Sequence, residues 1–258
     1  MTEPKIYVCM SSVPGRCKQL PHVVDSLLAN KVLPDKIFIN LCEKYDRFPE
    51  EKYDLSVLDK YKDNKLITIN RNCEDLGPGT KIFGCLDQLL EEEKDIENTY
   101  LLTADDDLCY RPEFVGKFKE SISKDPTIAY TGFKWGGGLK INGKRFEICF
   151  GGDGISFKLS KLRTLKDFCL KLHEVSIKFK YHDDFCFTCF YHLNNIETSK
   201  VRGQIRFSAK ESNIAQDLDY YIALTHSKVG GGGSARDNAL CRNYQRLLNS
   251  GELDIFKF

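Results

Sequence analysis

The chain of 258 residues lacks two features that would place it in common functional classes. No apolar run reaches the length of about 18 residues that a membrane-spanning helix needs. Charge of one sign is also missing, since 38 Lys and Arg residues balance 37 Asp and Glu residues to a net charge of +1. Binding to nucleic acid through its phosphates is therefore not expected. The start of the sequence has no apolar signal core, so we expect a cytoplasmic protein.

Cysteine is abundant, but the count of eleven is odd and the spacing is irregular. Several cysteines lie in or beside apolar segments, where a thiol behaves as a small apolar group. Cys186 and Cys189 have a spacing known from redox and zinc motifs, but no second pair accompanies them. We therefore expect buried thiols that pack in the core rather than a disulfide framework.

Short apolar segments alternate with amphipathic ones through the first half of the chain, which is typical of an α/β fold. The alternation predicts a mostly parallel central sheet flanked by helices. After residue 134 the pattern changes to glycines and alternating residues, which predict a small antiparallel excursion. Strands are predicted at 5–10, 36–41, 65–70, 100–104 and 127–133, and helices at about 17–30, 81–93, 112–124, 160–172, 185–193 and 237–248.

An apolar run over 100–104 stops at three consecutive carboxylates, Asp105, Asp106 and Asp107. If the run is a strand, the carboxylates follow its C-terminal edge, where open α/β sheets bind ligands. Adjacent like charges repel, so a divalent cation is their natural partner. In an extended segment Asp105 and Asp107 would share a face. A solvated acidic turn before a helix is the alternative, but the position after a strand favours a metal–nucleotide site.

Two loops that follow predicted strands carry residues suited to a phosphate. Arg16 follows small residues at a helix start, and its guanidinium is a fork of hydrogen-bond donors. A Gly-Pro-Gly turn precedes a helix that Thr80 could cap. This turn would bring Lys81 near a phosphate and Asp75 near a base or ribose. Each loop could equally be an ordinary connection between a strand and a helix.

The second half of the chain carries candidates for contact with a substrate. Trp135 stands beside three glycines, which suits stacking on a sugar ring as well as it suits a core position. The loop with Gly152 and Asp153 could approach a ligand closely. The four glycines at 230–233 could belong to a mobile loop that closes over phosphates, or to a native or engineered linker.

His182, Asp183 and Asp184 begin a predicted apolar helix and include the second acidic cluster of the chain. Acidic residues at a helix N-terminus are stabilised by the helix dipole, which explains them without any chemistry. A sheet of this kind could also place the pair across a cleft from the triple aspartate. One acid could then act as a general base while a metal holds the leaving group.

These segments together resemble the GT-A glycosyltransferases, in particular the family-2-like enzymes of bacteria and large DNA viruses. The resemblance covers most of residues 4–195 and is carried by four segments, at 12–16, 76–81, 104–112 and 182–185. It implies one Rossmann-like nucleotide-binding domain over 1–258. Residues up to about 133 would bind the nucleotide sugar, and those from about 134 would bind the acceptor. A viral member would work in the host cytoplasm.

The resemblance also implies the reaction, which is transfer of a hexose or pentose from a nucleotide diphosphate sugar to a hydroxyl of a glycan or other acceptor. Mn²⁺ or Mg²⁺ would bridge the diphosphate of the donor, with UDP-sugars favoured and GDP-sugars next. Asp107 would bind the metal, and Asp105 would contact the ribose or share the metal. His226 could complete the metal shell from the C-terminal loop.

The other roles that the resemblance implies concern the nucleotide and the acceptor. Asp184 would be the base that deprotonates the acceptor hydroxyl and so inverts the anomeric carbon, with Asp183 as the alternative. The family pattern more often has Glu-Asp where this chain has His-Asp-Asp. The residues expected on the nucleotide side are Arg16, Asp75, Lys81 and Asp106, and those expected on the substrate side are Trp135, Gly152 and Asp153.

Three other functions compete with this prediction. A nucleotidyltransferase would share the sheet and the acidic site, but it usually needs a stretch rich in Gly, Lys and Arg near the N-terminus, which 11–16 is not. A non-catalytic module that binds nucleotides or sugars is the second alternative, and both acidic clusters argue against it. A purely structural domain would need neither cluster.

Overall fold

A five-stranded sheet forms the centre of the computed structural model, which describes residues 3–136, 138–207 and 234–258. Four strands are parallel, and the fifth pairs antiparallel at one edge. The α/β class and the mostly parallel sheet are thus confirmed. In spatial order the strands are β10 (Ser156–Lys158), β4 (Thr99–Thr103), β1 (Lys5–Ser11), β2 (Lys36–Cys42) and β3 (Ile67–Cys73).

The central strands are apolar on both faces because each face is covered by its own layer of side chains. On β1, Ile6, Val8 and Met10 pack into one apolar cluster, whereas Tyr7 and Cys9 pack into the other. Strand β3 lies at the edge and is only half-buried, which is why it is more polar. The two faces together explain the continuous apolar runs in the sequence.

Helices cover the sheet and recur through the second half of the chain. Helix α6 is a core helix, since nine of its eleven residues are buried. No helix in the described segments combines the length and the apolar character needed to cross a membrane. The helices are α1 (Leu20–Leu28), α2 (Thr80–Glu92), α3 (Phe114–Lys124), α4 (Leu165–Val175), α5 (Ile177–Lys180), α6 (Asp183–Leu193) and α7 (Ser234–Ser250).

Small sheets form the predicted excursion, with one difference from the prediction. The short strand β5 (Ala129–Thr131) does not join the central sheet but pairs in parallel with β11 (Thr198–Lys200). The edge position beside β4 is occupied by the antiparallel strand β10. The antiparallel pairs are β6 (Lys134–Trp135) with β9 (Ile148–Cys149) and β7 (Lys140–Ile141) with β8 (Lys144–Arg145).

The cysteines behave as predicted, since all eleven are thiols and ten of them are buried. Cys186 and Cys189 both face the core from helix α6. Burial raises the pKa of both thiols well above the usual value, which makes them poor metal ligands and poor nucleophiles. Their spacing therefore reflects packing.

The Gly-Pro-Gly turn before α2 is built differently from the capped helix start that we expected. Thr80 is the first residue of the helix, and its hydroxyl turns back into the loop. There it accepts a hydrogen bond from the Leu76 N–H at 3.0 Å and donates one to the Glu74 carbonyl. The prediction that Thr80 caps the helix is therefore wrong, because its hydroxyl closes the turn instead.

Gly77 gives this turn its shape and its close contact with α5. Its φ of +64° is a backbone conformation that other residues rarely adopt. A Cβ atom on Gly77 would lie 2.3 Å from the Lys180 carbonyl oxygen. The turn and α5 can therefore meet only through a glycine.

Replacing Gly77 tests whether this contact is rigid. Gly143 is the matched control, since its φ is +76° but no atom lies within 4 Å of the added Cβ. We expect Gly143→Ala to lower the free energy of unfolding by about 1–2 kcal/mol through φ alone. Gly77→Ala should add about 1–3 kcal/mol of overpacking. If urea unfolding shows the same loss of unfolding free energy in both variants, α5 moves away from the added Cβ without a measurable cost.

Candidate active site

A cleft of about 430 Å³ opens at the carboxyl ends of strands β1 and β4. Parallel strands leave their ligand site at this edge of an open α/β sheet. The residues around it come from eight separate stretches of sequence, so only the folded chain assembles them. Its polar lining includes Ser11, Ser12, Arg16, Tyr45, Arg47, Lys81, Asp105, Asp106, Asp107, Tyr181, His182, Asp183, Asp184 and Asp237.

The three aspartates after β4 do not keep the alternation of a strand, because the backbone turns at Asp106 and Asp107. These two share Arg16, whose Nη1 lies 2.8 Å from Asp106 Oδ1 and 3.1 Å from Asp107 Oδ2. Asp105 faces Lys81 instead, with 2.5 Å between Nζ and Oδ1. Asp105 and Asp107 thus have different cationic partners, although both line the cleft.

Asp106 is the best anchored of the three carboxylates. It is buried, and its Oδ2 accepts a hydrogen bond from the Ser12 hydroxyl at 2.6 Å. Ser12 is held in turn by the Tyr53 hydroxyl, which donates to its carbonyl oxygen. Asp106 thus orients Arg16, while Asp107 keeps 26% of its side chain exposed to the cleft.

Lys81 lies at the centre of the cleft with only 6% of its side chain exposed. Its Nζ contacts Asp105 and also lies 3.3 Å from Asp183 Oδ2. Burial lowers the pKa of Lys81, but the charges of Asp105, Asp183 and Asp184 outweigh it and hold the pKa well above the usual value. Lys81 therefore stays protonated.

Asn40 on strand β2 fixes the backbone at Lys81. Its Nδ2 donates to the Lys81 carbonyl oxygen at 2.9 Å, and its Oδ1 accepts from Asn70 Nδ2 at 2.8 Å. Asn40 is completely buried, so losing these bonds would leave polar groups unpaired. The first turn of α2 is thereby held to the sheet.

Asp183 and Asp184 begin helix α6 and face the triple aspartate from the other side of Lys81. Asp184 Oδ1 accepts a hydrogen bond from the Gly151 N–H at 2.9 Å. Burial and the neighbouring Asp183 charge raise the pKa of Asp184 well above the usual range, although Lys81 opposes the shift. Asp183 Oδ2 is buried with no hydrogen bond from the described residues.

Helix α7 contributes a residue that the sequence did not mark as functional. Asp237 is buried in the cleft wall, with its Oδ1 at 3.1 Å from His182 Nε2. The contact ties α7 to the start of α6. A single acidic residue near a helix N-terminus carries no signal for such a role, because this is a common capping position.

Of the remaining residues predicted to contact the nucleotide or the acceptor, some line the cleft and others lie in the loops beside it. Trp135 lines the cleft. Asp75 is turned away into its own loop, where it accepts hydrogen bonds from the Gly77 and Asp46 N–H groups and lies 3.6 Å from Lys180. Its carboxylate is thus occupied by the turn.

Of the two predicted residues in the 151–154 loop, Gly152 lies against Asp105, whereas the partner of Asp153 is outside the cleft lining. The Gly152 carbonyl accepts a hydrogen bond from the Tyr110 hydroxyl, and a Cβ on Gly152 would lie 2.6 Å from Asp105 Oδ2. Asp153 pairs with Arg206 at 2.5 Å. His226 and the glycines at 230–233 lie outside the described residues.

Three lining residues of the cleft, Tyr45, Arg47 and Tyr181, were not predicted from the sequence. Two of these come from the polar stretch between β2 and β3, which has no periodicity. Tyrosine and arginine present flat faces to a planar base. For Tyr45 and Arg47, the presence of such side chains in an irregular segment is the one sequence signal for a binding role.

The described residues of the cleft offer a divalent cation only part of a ligand set. In the described segments no three side chains of His, Cys, Asp or Glu are grouped to hold an ion. Mg²⁺ sites commonly use one or two carboxylates together with substrate phosphates and waters. Asp107 and Asp105 are partly exposed and are suited to hold a cation jointly with a diphosphate.

Comparison with known proteins identifies the fold. No family model matches the sequence, and no curated protein matches it. The structure is similar to TarS 1–349 of S. aureus in complex with UDP, at 14% identity and a TM-score of 0.51, over 97% of this chain and 72% of that chain. This likeness shows that the chain has a GT-A-like fold, as expected.

Two further structures are similar. TarS 1–349 of S. aureus without a named ligand aligns at 14% identity and a TM-score of 0.50, over 96% of this chain and 73% of that chain. The 2-C-methyl-D-erythritol 4-phosphate cytidylyltransferase of Francisella tularensis aligns at 12% identity and a TM-score of 0.48, over 85% of this chain and 98% of that chain.

The raised pKa of Asp184 predicts a pH-dependent cost in stability. The folded-state pKa lies above the unfolded value of about 3.9, so the wild type loses stability as the pH rises from there through the folded pKa. Asp184→Asn keeps an oxygen for the Gly151 N–H and removes the charge. We expect the variant to exceed the wild type in unfolding free energy by about 1.4 kcal/mol for each unit of the shift.

Urea unfolding between pH 4 and 8 measures this difference. Asp63→Asn is the control, since Asp63 is exposed and forms no ion pair with a described residue. The advantage of Asp184→Asn should grow with pH, whereas Asp63→Asn should follow the wild type. An advantage that shrinks as the pH rises would show that Asp184 is stabilised as an anion.

Proposed function

We propose that this protein is a metal-dependent glycosyltransferase that transfers a sugar from a nucleotide diphosphate sugar to a hydroxyl of a glycan acceptor. The observation that carries the proposal is the meeting of two acidic clusters, Asp105–Asp107 and Asp183–Asp184, on either side of buried Lys81. The GT-A-like fold supports this function, and the similar structure of TarS contains UDP. A UDP-sugar is therefore the favoured donor.

The donor would lie along the side of the cleft that carries Arg16 and Lys81. Both cations are held in place by carboxylates, so they can meet the diphosphate without reorganising. Tyr45 and Tyr181 would face the base. Mn²⁺ or Mg²⁺ held by Asp107 and Asp105 with the diphosphate would stabilise the negative charge that develops on the leaving group.

The acceptor would lie on the side of Asp184. A sugar hydroxyl is a weak nucleophile near neutral pH, so a positioned carboxylate accelerates its attack. Asp184 takes the hydroxyl proton while the acceptor oxygen bonds to the anomeric carbon and the bond to the donor phosphate breaks. The Gly151 N–H orients the carboxylate. Attack from the side opposite the leaving group inverts the anomeric carbon. Asp183 is the alternative base.

Binding of the donor can be tested without knowing the acceptor. In thermal unfolding with UDP, GDP, CMP and dTDP, each with and without Mn²⁺, we expect UDP to stabilise the wild type only with metal. A ligand at about 100 times its Kd adds about 2.7 kcal/mol, or about 5–10 °C in Tm for this size. Asp107→Asn should lose the effect, and Asp63→Asn should keep it. Equal stabilisation of all three proteins would refute the role of Asp107.

Turnover separates the proposed reaction from its rivals. With the preferred donor, we expect release of the nucleoside diphosphate and no release of pyrophosphate from a nucleoside triphosphate. Pyrophosphate release would identify a nucleotidyltransferase, and metal-dependent binding without turnover over a panel of sugar acceptors would identify a binding module.

The base can be assigned by comparing two substitutions. Asp184→Asn should lower the rate of transfer by about 10² to 10⁴-fold while the thermal shift by donor and metal is retained. Asp183→Asn serves as the comparison, because it removes the neighbouring carboxylate. If Asp183→Asn abolishes transfer and Asp184→Asn does not, the two roles are exchanged.

A further inference from the structure

A second cavity, of about 340 Å³, lies outside the active-site cleft, between helix α3 and the pair of strands β5 and β11. We call it the flank pocket. Four cations and one acid line it, namely Lys117, Lys124, Lys200, Arg202 and Glu120. Ser121, Ser199 and Tyr130 add hydroxyl groups. The lining is therefore strongly basic, in a protein whose net charge is only +1.

The acid of the flank pocket balances only one of its cations. Glu120 pairs with Lys124 at 2.5 Å one turn along α3. Lys200 and Arg202 are exposed, and neither forms an ion pair with a described residue. Asp125, at the end of α3, turns its carboxylate to the hydroxyl and N–H of Thr127. Three positive charges thus remain for a ligand.

One cation of the flank pocket, Lys117, is held in place by the loop at Gly203 and Gln204. Lys117 Nζ donates a hydrogen bond to the Gln204 carbonyl oxygen at 3.0 Å, which uses one of its three donors. The adjacent Gly203 has a φ of +87°, and a Cβ there would lie 2.7 Å from Lys117 Nζ. A glycine at this position lets the loop approach the ammonium group. The contact holds the positive charge of Lys117 at a fixed position.

A row of aromatic contacts connects the flank pocket with the active-site cleft. Lys200 Nζ lies 5.0 Å from the centre of the Phe133 ring. Phe133 is 43% exposed, and its ring centre lies 5.4 Å from that of Phe150. Phe150 lines the cleft together with Trp135. An extended chain of sugars could follow this apolar row from the cleft to the flank pocket.

We propose that the flank pocket binds a polyvalent oxyanion, a sulfate or phosphate group carried by an extended acceptor at a distance from its reacting hydroxyl. Lys117, Lys200 and Arg202 supply charge-assisted hydrogen bonds, which are stronger than neutral ones. This inference rests on the proposed function for the identity of the ligand as acceptor. The acceptor class is then an anionic glycan.

Calorimetric titration in the absence of donor and metal tests the flank pocket directly. The probes are a heparin-derived hexasaccharide, neutral maltohexaose and inorganic tripolyphosphate at low salt. The variant is Lys200→Ala with Arg202→Ala, and the matched control is Lys62→Ala with Lys65→Ala, two exposed lysines elsewhere. Anions that enter the active-site cleft contribute equally to all three proteins, so the difference reports the flank pocket.

We expect the sulfated hexasaccharide to bind the wild type and the control alike, and the flank variant about tenfold more weakly or worse. The neutral hexasaccharide should show no such difference. If the flank variant also binds tripolyphosphate more weakly than the wild type, the site is assigned to phosphate groups. If the two proteins bind tripolyphosphate equally, the site is assigned to sulfated sugars. Equal losses in the flank and control variants would reflect net charge alone and would overturn the proposal.

The thermal shift by donor and metal checks the flank variant independently. A normal shift with lost binding of the hexasaccharide supports the proposal and leaves the transferase function intact. A hexasaccharide difference in a protein that binds no nucleotide would leave an anion site but refute its assignment to an acceptor. The two failures are thus distinguishable.

Discussion

The buried ammonium group of Lys81 is the constraint on which the site depends. A charge taken out of water is tolerated only when opposite charges surround it. Lys81 stands on helix α2, and the carboxylates that balance it come from Asp105 after β4 and Asp183 at the start of α6. Satisfying one lysine therefore brings distant parts of the chain to one point.

The same arrangement leaves more negative than positive charge in the cleft. Asp184 is close to Asp183 and shielded from water, so its pKa rises well above the usual range. Such a cost is typical of sites where function, rather than stability, decides the residue. A donor and a cation would bring new charges into this balance. The surplus of carboxylates thus lowers the stability of the resting protein, and the proposed donor and cation would offset it.

Much of the fold could be predicted because it depends on local patterns. Strands such as β1, buried on both faces, read as apolar runs, and the α2 helix follows a clear Gly-Pro-Gly turn. The place of β10 beside β4 could not be predicted, since a strand of three residues has no period of its own. The role of the Thr80 hydroxyl was predicted wrongly, because threonine is equally suited to cap a helix and to form hydrogen bonds within the preceding loop.

The sequence by itself determined the α/β class, the end of β4 as the place of the acidic triplet, and the burial of the cysteines. These follow from apolar periodicity and from charge next to it. Only the tertiary structure decided that Asp106 and Asp107 share Arg16, that Asp105 shares Lys81 with Asp183, and that Asp237 reaches the cleft. Side-chain partners depend on distances across the fold, and the order of residues along a chain does not contain these distances.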